Sequence, residues 1–220
     1  MQLSVTALPK LPEPDVDGWC EFIEATNKKA LPEPFKPVET LVNNYLSAES
    51  TVLDIGCETG KNAIPLLQAG HKVTLLDVAP NAIQYTLLNL QERGLDKGVA
   101  ETITGTIESL DPLYGPYDAV IGTYTFSFIP PYLFDQVMKE NVLGRVKVDG
   151  YFAGGFFGEK HSWAANSPEY TFLTPEKIRD LFHSLNFEIC AIEDKIELKQ
   201  TQLNGMQIFH TIEVIAKHCL

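Results

Sequence analysis

The stretch VLDIGCETG, residues 52–60, sets a short apolar run directly against two glycines. Val52 to Ile55 have the make-up of a buried strand, interrupted only by Asp54. Gly56 and Gly60 bracket a tight turn, and a helical pattern starts at Lys61. About twenty residues further on, a second apolar run, KVTLLD (72–77), ends in an acid, Asp77. Strand, glycine turn, helix, strand and acid form the unit around which the rest of the chain is read.

The same alternation continues on both sides. Upstream, Pro37 opens a helix at a position where its missing N–H costs nothing. Val38, Leu41, Val42, Tyr45 and Leu46 make its apolar stripe. Downstream, helices are expected over 61–69, stopped by Gly70, and from Pro80 to Arg93, stopped by Gly94. Strands are expected at 99–105, 117–124 and 151–157, with a helix from Tyr132 to Lys147 between the last two. Thr174 is the expected N-cap of a helix whose stripe is Ile178, Leu181, Phe182 and Leu185. Two long strands, 187–200 and 206–217, flank Asn204-Gly205, a pair that favours a tight hairpin turn. This order predicts an α/β fold with a mostly parallel sheet and one reversed strand.

The N-terminal segment is different. Pro9, Pro12 and Pro14 interrupt residues 1–18, which read as an extended arm. Trp19, Phe22 and Ile23 have helical spacing, and LPEPFKP (31–37) is too proline-rich for a helix. Aromatics beside prolines suit a lid or pocket wall, or equally a cover for a sheet edge. The chain thus divides into residues 1–36, an arm with a candidate lid role, and residues 37–220, the main domain.

Composition narrows the partners. With 29 acids against 17 bases, the net charge is −12. A nucleic-acid binder needs clustered Lys and Arg, and no basic run exceeds Lys28-Lys29. Anionic membrane surfaces are disfavoured for the same reason. No apolar run approaches the about 18 residues that span a bilayer, and the N-terminus lacks a signal-peptide pattern. Cys20, Cys57, Cys190 and Cys219 show no CxxC spacing, so neither a metal site nor a redox motif is expected. These features point to a cytoplasmic protein, expected as a monomer or homodimer.

In open parallel sheets, ligands sit beyond the carboxyl ends of the strands, where strand order reverses. Glycines there let the backbone approach a ligand, and Asp77 can accept from two ribose hydroxyls. The spacing from Gly56 to Gly60 is G-x-x-x-G, not the G-x-G-x-x-G of nicotinamide sites. Asp54 before the turn repels a pyrophosphate but suits a ligand carrying an ammonium and a positive sulfur.

At these residues the chain resembles the class I S-adenosylmethionine-dependent methyltransferases. VLDIGCETG is similar to that family's first motif, LDxGCGxG, with Glu58 where a glycine is usual. LLDVAPNAI (75–83) is similar to the second motif, and YDAVIGTYTFSFIPP (117–131) to the fourth. The resemblance covers roughly residues 36–217. It implies a doubly wound, Rossmann-like, mostly parallel seven-stranded sheet with a C-terminal antiparallel hairpin strand. It implies S-adenosylmethionine as cofactor, with S-adenosylhomocysteine as product. Its expected contacts are Asp54, Gly56, Cys57, Glu58, Gly60 and Asn62 at the turn, and Asp77, Val78 and Ala79 after the second strand. Thr106 and Ile107, with Glu108 beside them, would wall the adenine, and Gly122, Thr123 and Tyr124 would face the cofactor.

A finer resemblance is to the tellurite-resistance and thiopurine methyltransferase-like branch. Gly60, Lys61, Asn62 and Leu66, then Gly70, Val73 and Asp77, match its frame. Enzymes of that branch methylate small soft nucleophiles, that is sulfur, selenium or tellurium compounds, or other small metabolites. Catalytic residues are not assigned. Tyr124, Glu159, His161 and His210 are candidate bases or orienters, and Trp163 a candidate pocket residue. The rival readings are a non-catalytic cofactor-binding or partner subunit of this fold and a nicotinamide-dependent oxidoreductase. Amino methylation of nucleic acid would need an NPPY-like string where this chain reads GTYTF.

Overall fold

The structure is a computed structural model that describes residues 15–28, 30–111, 113–201 and 205–220. Seven strands form one sheet: β1 (Thr51–Ile55), β2 (Lys72–Asp77), β3 (Val99–Thr104), β4 (Tyr117–Thr123), β5 (Val146–Phe157), β6 (Phe187–Thr201) and β7 (Gly205–His218). Their spatial order is β3-β2-β1-β4-β5-β7-β6. Only β7 is reversed, running antiparallel to both β5 and β6. The expected sheet, with its terminal antiparallel hairpin, is what the chain forms.

The helices are α1 (Val16–Asn27), α2 (Lys36–Asn44), α3 (Ala63–Gln68), α4 (Pro80–Gln91), α5 (Pro131–Val137) and α6 (Pro175–Ser184). They bury two opposite sheet faces, as a parallel sheet requires. On one face Val52, Val73, Leu75, Ala119 and Ile121 meet Leu41, Leu66 and Leu90 of α2, α3 and α4. On the other, Leu53, Val120, Phe152 and Ile212 meet Phe134, Ile178 and Phe182 of α5 and α6. No helix among the described residues is long and apolar enough to cross a membrane.

Three boundaries differ from expectation. The extended arm expected over residues 1–18 lies outside the described residues as far as residue 14, and its end is helical, because Asp15 accepts from the Gly18 amide at 3.0 Å and starts α1 at Val16. Helix α3 begins at Ala63, not Lys61, because Glu58 (φ 51°) and Gly60 (φ 91°) are left-handed and the turn uses the intervening residues. The helix expected over 132–147 loosens after Val137 into a π-turn, Met138–Val142, and a 3-10 turn, Leu143–Arg145. Its last residues instead open β5 at Val146, and a register shift follows, from Tyr117↔Val146 to Ala119↔Tyr151. The residues around Asn204 in the expected hairpin turn lie outside the described residues, while Thr201 pairs with Gly205.

Strand β1 lies between β2 and β4, so strand order reverses beside it, with Ile55 opposite Gly122. A side chain at Gly122 would put its Cβ 2.5 Å from Phe126 Cζ, inside the core. Gly122→Ala should therefore destabilise the protein by about 1–3 kcal/mol through overpacking. A drop in the urea midpoint with an unchanged slope checks this.

Candidate functional site

The turn after β1 is built by three anchors. The amides of Gly56 and Cys57 both donate to the Leu76 carbonyl, at 2.8 and 3.2 Å, tying the turn to the end of β2. Helix α4 holds its far side: Thr86 Oγ1 donates to the Glu58 carbonyl at 3.1 Å, and Asn89 Nδ2 to the Thr59 carbonyl at 2.9 Å. Gly56 takes φ 71°, and a Cβ there would lie 2.8 Å from Thr125 Oγ1. Here glycine is needed both for the left-handed geometry and for the close approach.

Asp54 ends up fully buried at the end of β1, with neither carboxylate oxygen hydrogen-bonded among the described residues. Burial pushes its carboxyl up to about 7, the negative charge of Glu58 and Asp77 adds to this, and Lys61 opposes it. An ionisable group left unsatisfied in this way is costly unless a ligand answers it. Asp77 is also buried. Its two oxygens accept from the amides of Ala79 (2.9 Å) and Glu58 (3.1 Å), leaving each with further lone pairs. Burial pushes it up to about 6, against the pull of those amides.

Glu58 takes a left-handed φ of 51°, and its side chain pairs with Lys61 at 2.9 Å. The extra acid thus carries its own counter-charge. Cys57 is a buried neutral thiol, its ionisation pushed up by burial and by Asp77, and its Sγ lies 3.8 Å from Thr86 Oγ1. Asn62 is buried and fully engaged: its Oδ1 accepts from the Phe35 amide at 2.9 Å, and its Nδ2 donates to Thr123 Oγ1 at 2.8 Å. It joins the N-terminal segment, the turn and the end of β4.

The remaining expected contacts are gathered less completely. Val78 and Ala79 follow β2, and Ala79 packs with Ile23 of α1. Thr106 caps a short 3-10 turn, sharing hydrogen bonds with Ser109, and Ile107 is a core residue. Gly122 and Thr123 end β4 beside Ile55. Tyr124 turns its hydroxyl away to β7, where it donates to Glu213 Oε1 at 3.0 Å. Its ring stacks on Phe157 at 5.5 Å.

Of the candidate bases, His210 is saturated. Its Nδ1 accepts from the Lys160 amide at 2.9 Å, and its Nε2 meets Asp194 Oδ1 at 2.7 Å. Glu159 is exposed. His161 is buried and lowered to about 4 by burial and by His210. Its Nδ1 accepts from the Trp163 amide at 3.2 Å, so the neutral ring carries its proton on Nε2, which has no partner. The ring lies 4.4 Å from Phe157 and 4.9 Å from Trp163.

Aromatic and polar residues from several elements complete the surroundings. Trp19 of α1 packs edge-on against Phe128 at 4.7 Å, and Phe128 against Tyr170 at 5.0 Å. Asn81 Nδ2 donates to the Cys20 carbonyl at 2.8 Å and pins α1 to α4. Thr86 and Asn89, polar and three apart on one side of α4, were the available sequence signal for the turn's support.

Comparison with known proteins agrees with this geometry. A methyltransferase-domain family model matches residues 52–143. No curated protein matches the chain in sequence. Among solved structures, a SAM-dependent methyltransferase from Methanosarcina mazei is 19% identical, with TM-score 0.65 over 86% of this chain and 100% of that one. TehB from Haemophilus influenzae is 16% identical, with TM-score 0.67 over 90% of this chain and 66% of its own. The Burkholderia thailandensis 1,6-didemethyltoxoflavin-N1-methyltransferase, solved with its substrate and S-adenosylhomocysteine, is 16% identical, with TM-score 0.61 over 93% of this chain and 83% of its own. The chain has the class I methyltransferase fold.

The raised carboxyl of Asp54 has a consequence for the ligand-free protein. Unfolded, it ionises near the usual carboxylate value; folded, only at about 7. Between those values the folded state holds the extra proton, so stability falls as pH rises from about 4 to about 7, by up to ~1.4 kcal/mol per pH unit. Asp54→Asn should flatten this decline, leaving the smaller contribution of Asp77, and should match or exceed wild-type stability at neutral pH. Urea midpoints across that range are the measurement.

Proposed function

We propose that this chain is an S-adenosylmethionine-dependent methyltransferase acting on a small-molecule acceptor, a sulfur, selenium or tellurium nucleophile. The observation that carries the reading is Asp54, a buried carboxylate with two unpartnered oxygens beside a left-handed glycine turn at the strand-order reversal. Its donor set fits a ligand with an ammonium group and a positively charged centre. When bound, S-adenosylmethionine supplies an electrophilic methyl group on a sulfonium.

In this reading Asp54 would hold the ammonium of the cofactor's methionine end and Asp77 the ribose hydroxyls. Gly56 and Gly60 would allow close backbone approach, Val78 and Ala79 would flank the adenine, and Thr106 and Ile107 would wall it. The paired Glu58–Lys61 side chains favour a working site over a decayed one, because the departure from the usual glycine is locally neutralised. Soft nucleophiles need positioning and dehydration more than a base. Trp19, Phe128, Trp163 and Tyr170 are half-buried and supply an apolar, polarisable wall of that kind, and neutral His161 adds no charge to it. Residues 1–36 would act as the lid over the 37–220 domain, with α1 closing through the Trp19–Phe128 contact.

Two experiments test this. Calorimetric titration with S-adenosylmethionine should show binding that weakens as pH falls below about 7, where Asp54 takes up a proton in competition with the cation. Asp77→Ala should weaken it by about 10- to 100-fold, the loss of hydrogen bonds to a charged acceptor. Absence of binding by the wild type removes the enzyme reading, and unchanged affinity of the variant removes Asp77 from the ribose. The second experiment follows S-adenosylhomocysteine release across thiols, selenite, tellurite, amines and carboxylates. Thiols or chalcogen oxyanions should turn over, with Trp19→Ala raising the acceptor KM. Turnover confined to amines or carboxylates would refute the soft-nucleophile assignment.

A further inference from the structure

Strand β6 is the outer edge of the sheet among the described residues. Beyond Phe157, the last residue of β5, the β6–β7 pair continues past the neighbouring strand, from Ile196↔His210 to Thr201↔Gly205. On one face of β6, every second residue is charged and the signs alternate: Glu193, Lys195, Glu197, Lys199. On the other face Ile196 is 54% and Leu198 64% exposed, with Ile208 and Met206 of β7 beside them. No proline or glycine interrupts the strand from residue 187 to 201, and its register shift, at Ile189/Ala191, lies before the charged row.

We infer that β6 is a dimerisation edge, pairing antiparallel with β6 of a second copy of this chain about a twofold axis through Ile196. Antiparallel pairing about one residue sets each position against the one equally far on the other side. Centred on Ile196, it opposes Lys195 to the second copy's Glu197, and Glu193 to the second copy's Lys199. The twofold repeats both, so all four cross-strand contacts are attractive, and Ile196 meets its own copy. Moving the centre by one residue reverses the outcome. Centred on Lys195, that residue faces itself and Glu193 faces Glu197; centred on Glu197, that residue faces itself and Lys195 faces Lys199. The registers one residue away are therefore opposed by like charges, and those centred on Asp194 or Leu198 keep only two of the four opposite-sign contacts, so the register centred on Ile196 is favoured.

Within one copy the same charges pair along the strand, Lys195 with Glu193 at 2.9 Å and Lys199 with Glu197 at 2.8 Å. The four charges of the row sum to zero, with Lys195 also shared with Glu213 of β7 at 3.1 Å. An edge guarded by charge against association relies on a field of one sign or on repelling lysines. A neutral, alternating row gives no such protection against its own copy. The chain's net charge of −12 repels a second copy at long range, and at about 0.15 M salt that field is screened beyond about 8 Å while contacts in the edge are not. The inference stands independently of the proposed chemistry.

Sedimentation over a concentration series at that ionic strength should give the mass of a dimer. Lys199→Glu opposes acid to acid, and Glu193→Lys opposes base to base, so each variant alone should raise the dimer dissociation constant about tenfold or more. An equimolar mixture of the two restores every opposite-sign contact and should regain the wild-type constant. A wild type that stays monomeric, variants that dimerise unchanged, or a mixture no better than its components would each overturn the proposal. A second readout is independent of charge. In a Cys190→Ser background, Ile196→Cys should form a disulfide-linked dimer under mild oxidation, because the residue faces itself. Leu198→Cys should not, because it faces Asp194 of the second copy. Equal crosslinking at both positions would overturn the register.

Discussion

One carbonyl, that of Leu76, fixes the functional end of this molecule. It accepts from the amides of both Gly56 and Cys57. That forces the chain leaving β1 to fold back over the end of β2, and only a left-handed Gly56 allows it without a side-chain collision. The consequence is electrostatic. Asp54, last but one in β1, and Asp77, last in β2, are brought to one small volume with Glu58 and Lys61. Three acids and one base gather there, the two strand-end acids buried and the Glu58–Lys61 pair partly exposed, and the ligand-free state holds protons on the buried pair.

The supports of that turn are distributed over the fold. Thr86 and Asn89 reach it from α4, and Asn62 connects it to both Phe35 and Thr123. Helix α1, seated on Ala79 and Ala82 through Ile23, extends the same assembly to the N-terminal side. There Trp19 is set against Phe128.

Much of the fold was legible because the signals were local. Strands buried on both faces have continuous apolar runs, and the glycine turn and strand-end acids sit at fixed spacing. The errors fall where a tertiary contact overrode propensity. Helix α5 gives way to a π-turn although Met138, Val142 and Leu143 keep an apolar helical pattern, because Val146 is drawn into the sheet against Tyr117. For the site, residue types identified Asp54 and Asp77, but no spacing could reveal that Asp54 has no internal partner while Asn62 has spent both of its polar atoms. Nor could it reveal that the Tyr124 hydroxyl is turned to Glu213, which lies far away in the chain. The saturation of His210 and the bare Nε2 of His161 are likewise invisible in sequence, though both are histidines beside the same strand end.

The His210 contact also bears on how the molecule can change its preferences. His210 crowds Gly158 so closely that a Cβ there would lie 2.2 Å from its Nδ1, and that nitrogen also accepts from Lys160. A few residues on, the Ile208 amide donates to Ser162 Oγ. The aromatic segment after β5 is therefore riveted at several points to the overhanging ribbon of β6 and β7. It cannot be exchanged like a free surface loop. Substitutions in the ribbon would be felt at Phe157 and Trp163, so the outermost strands of the sheet and this aromatic segment form one mechanical unit and must diverge together.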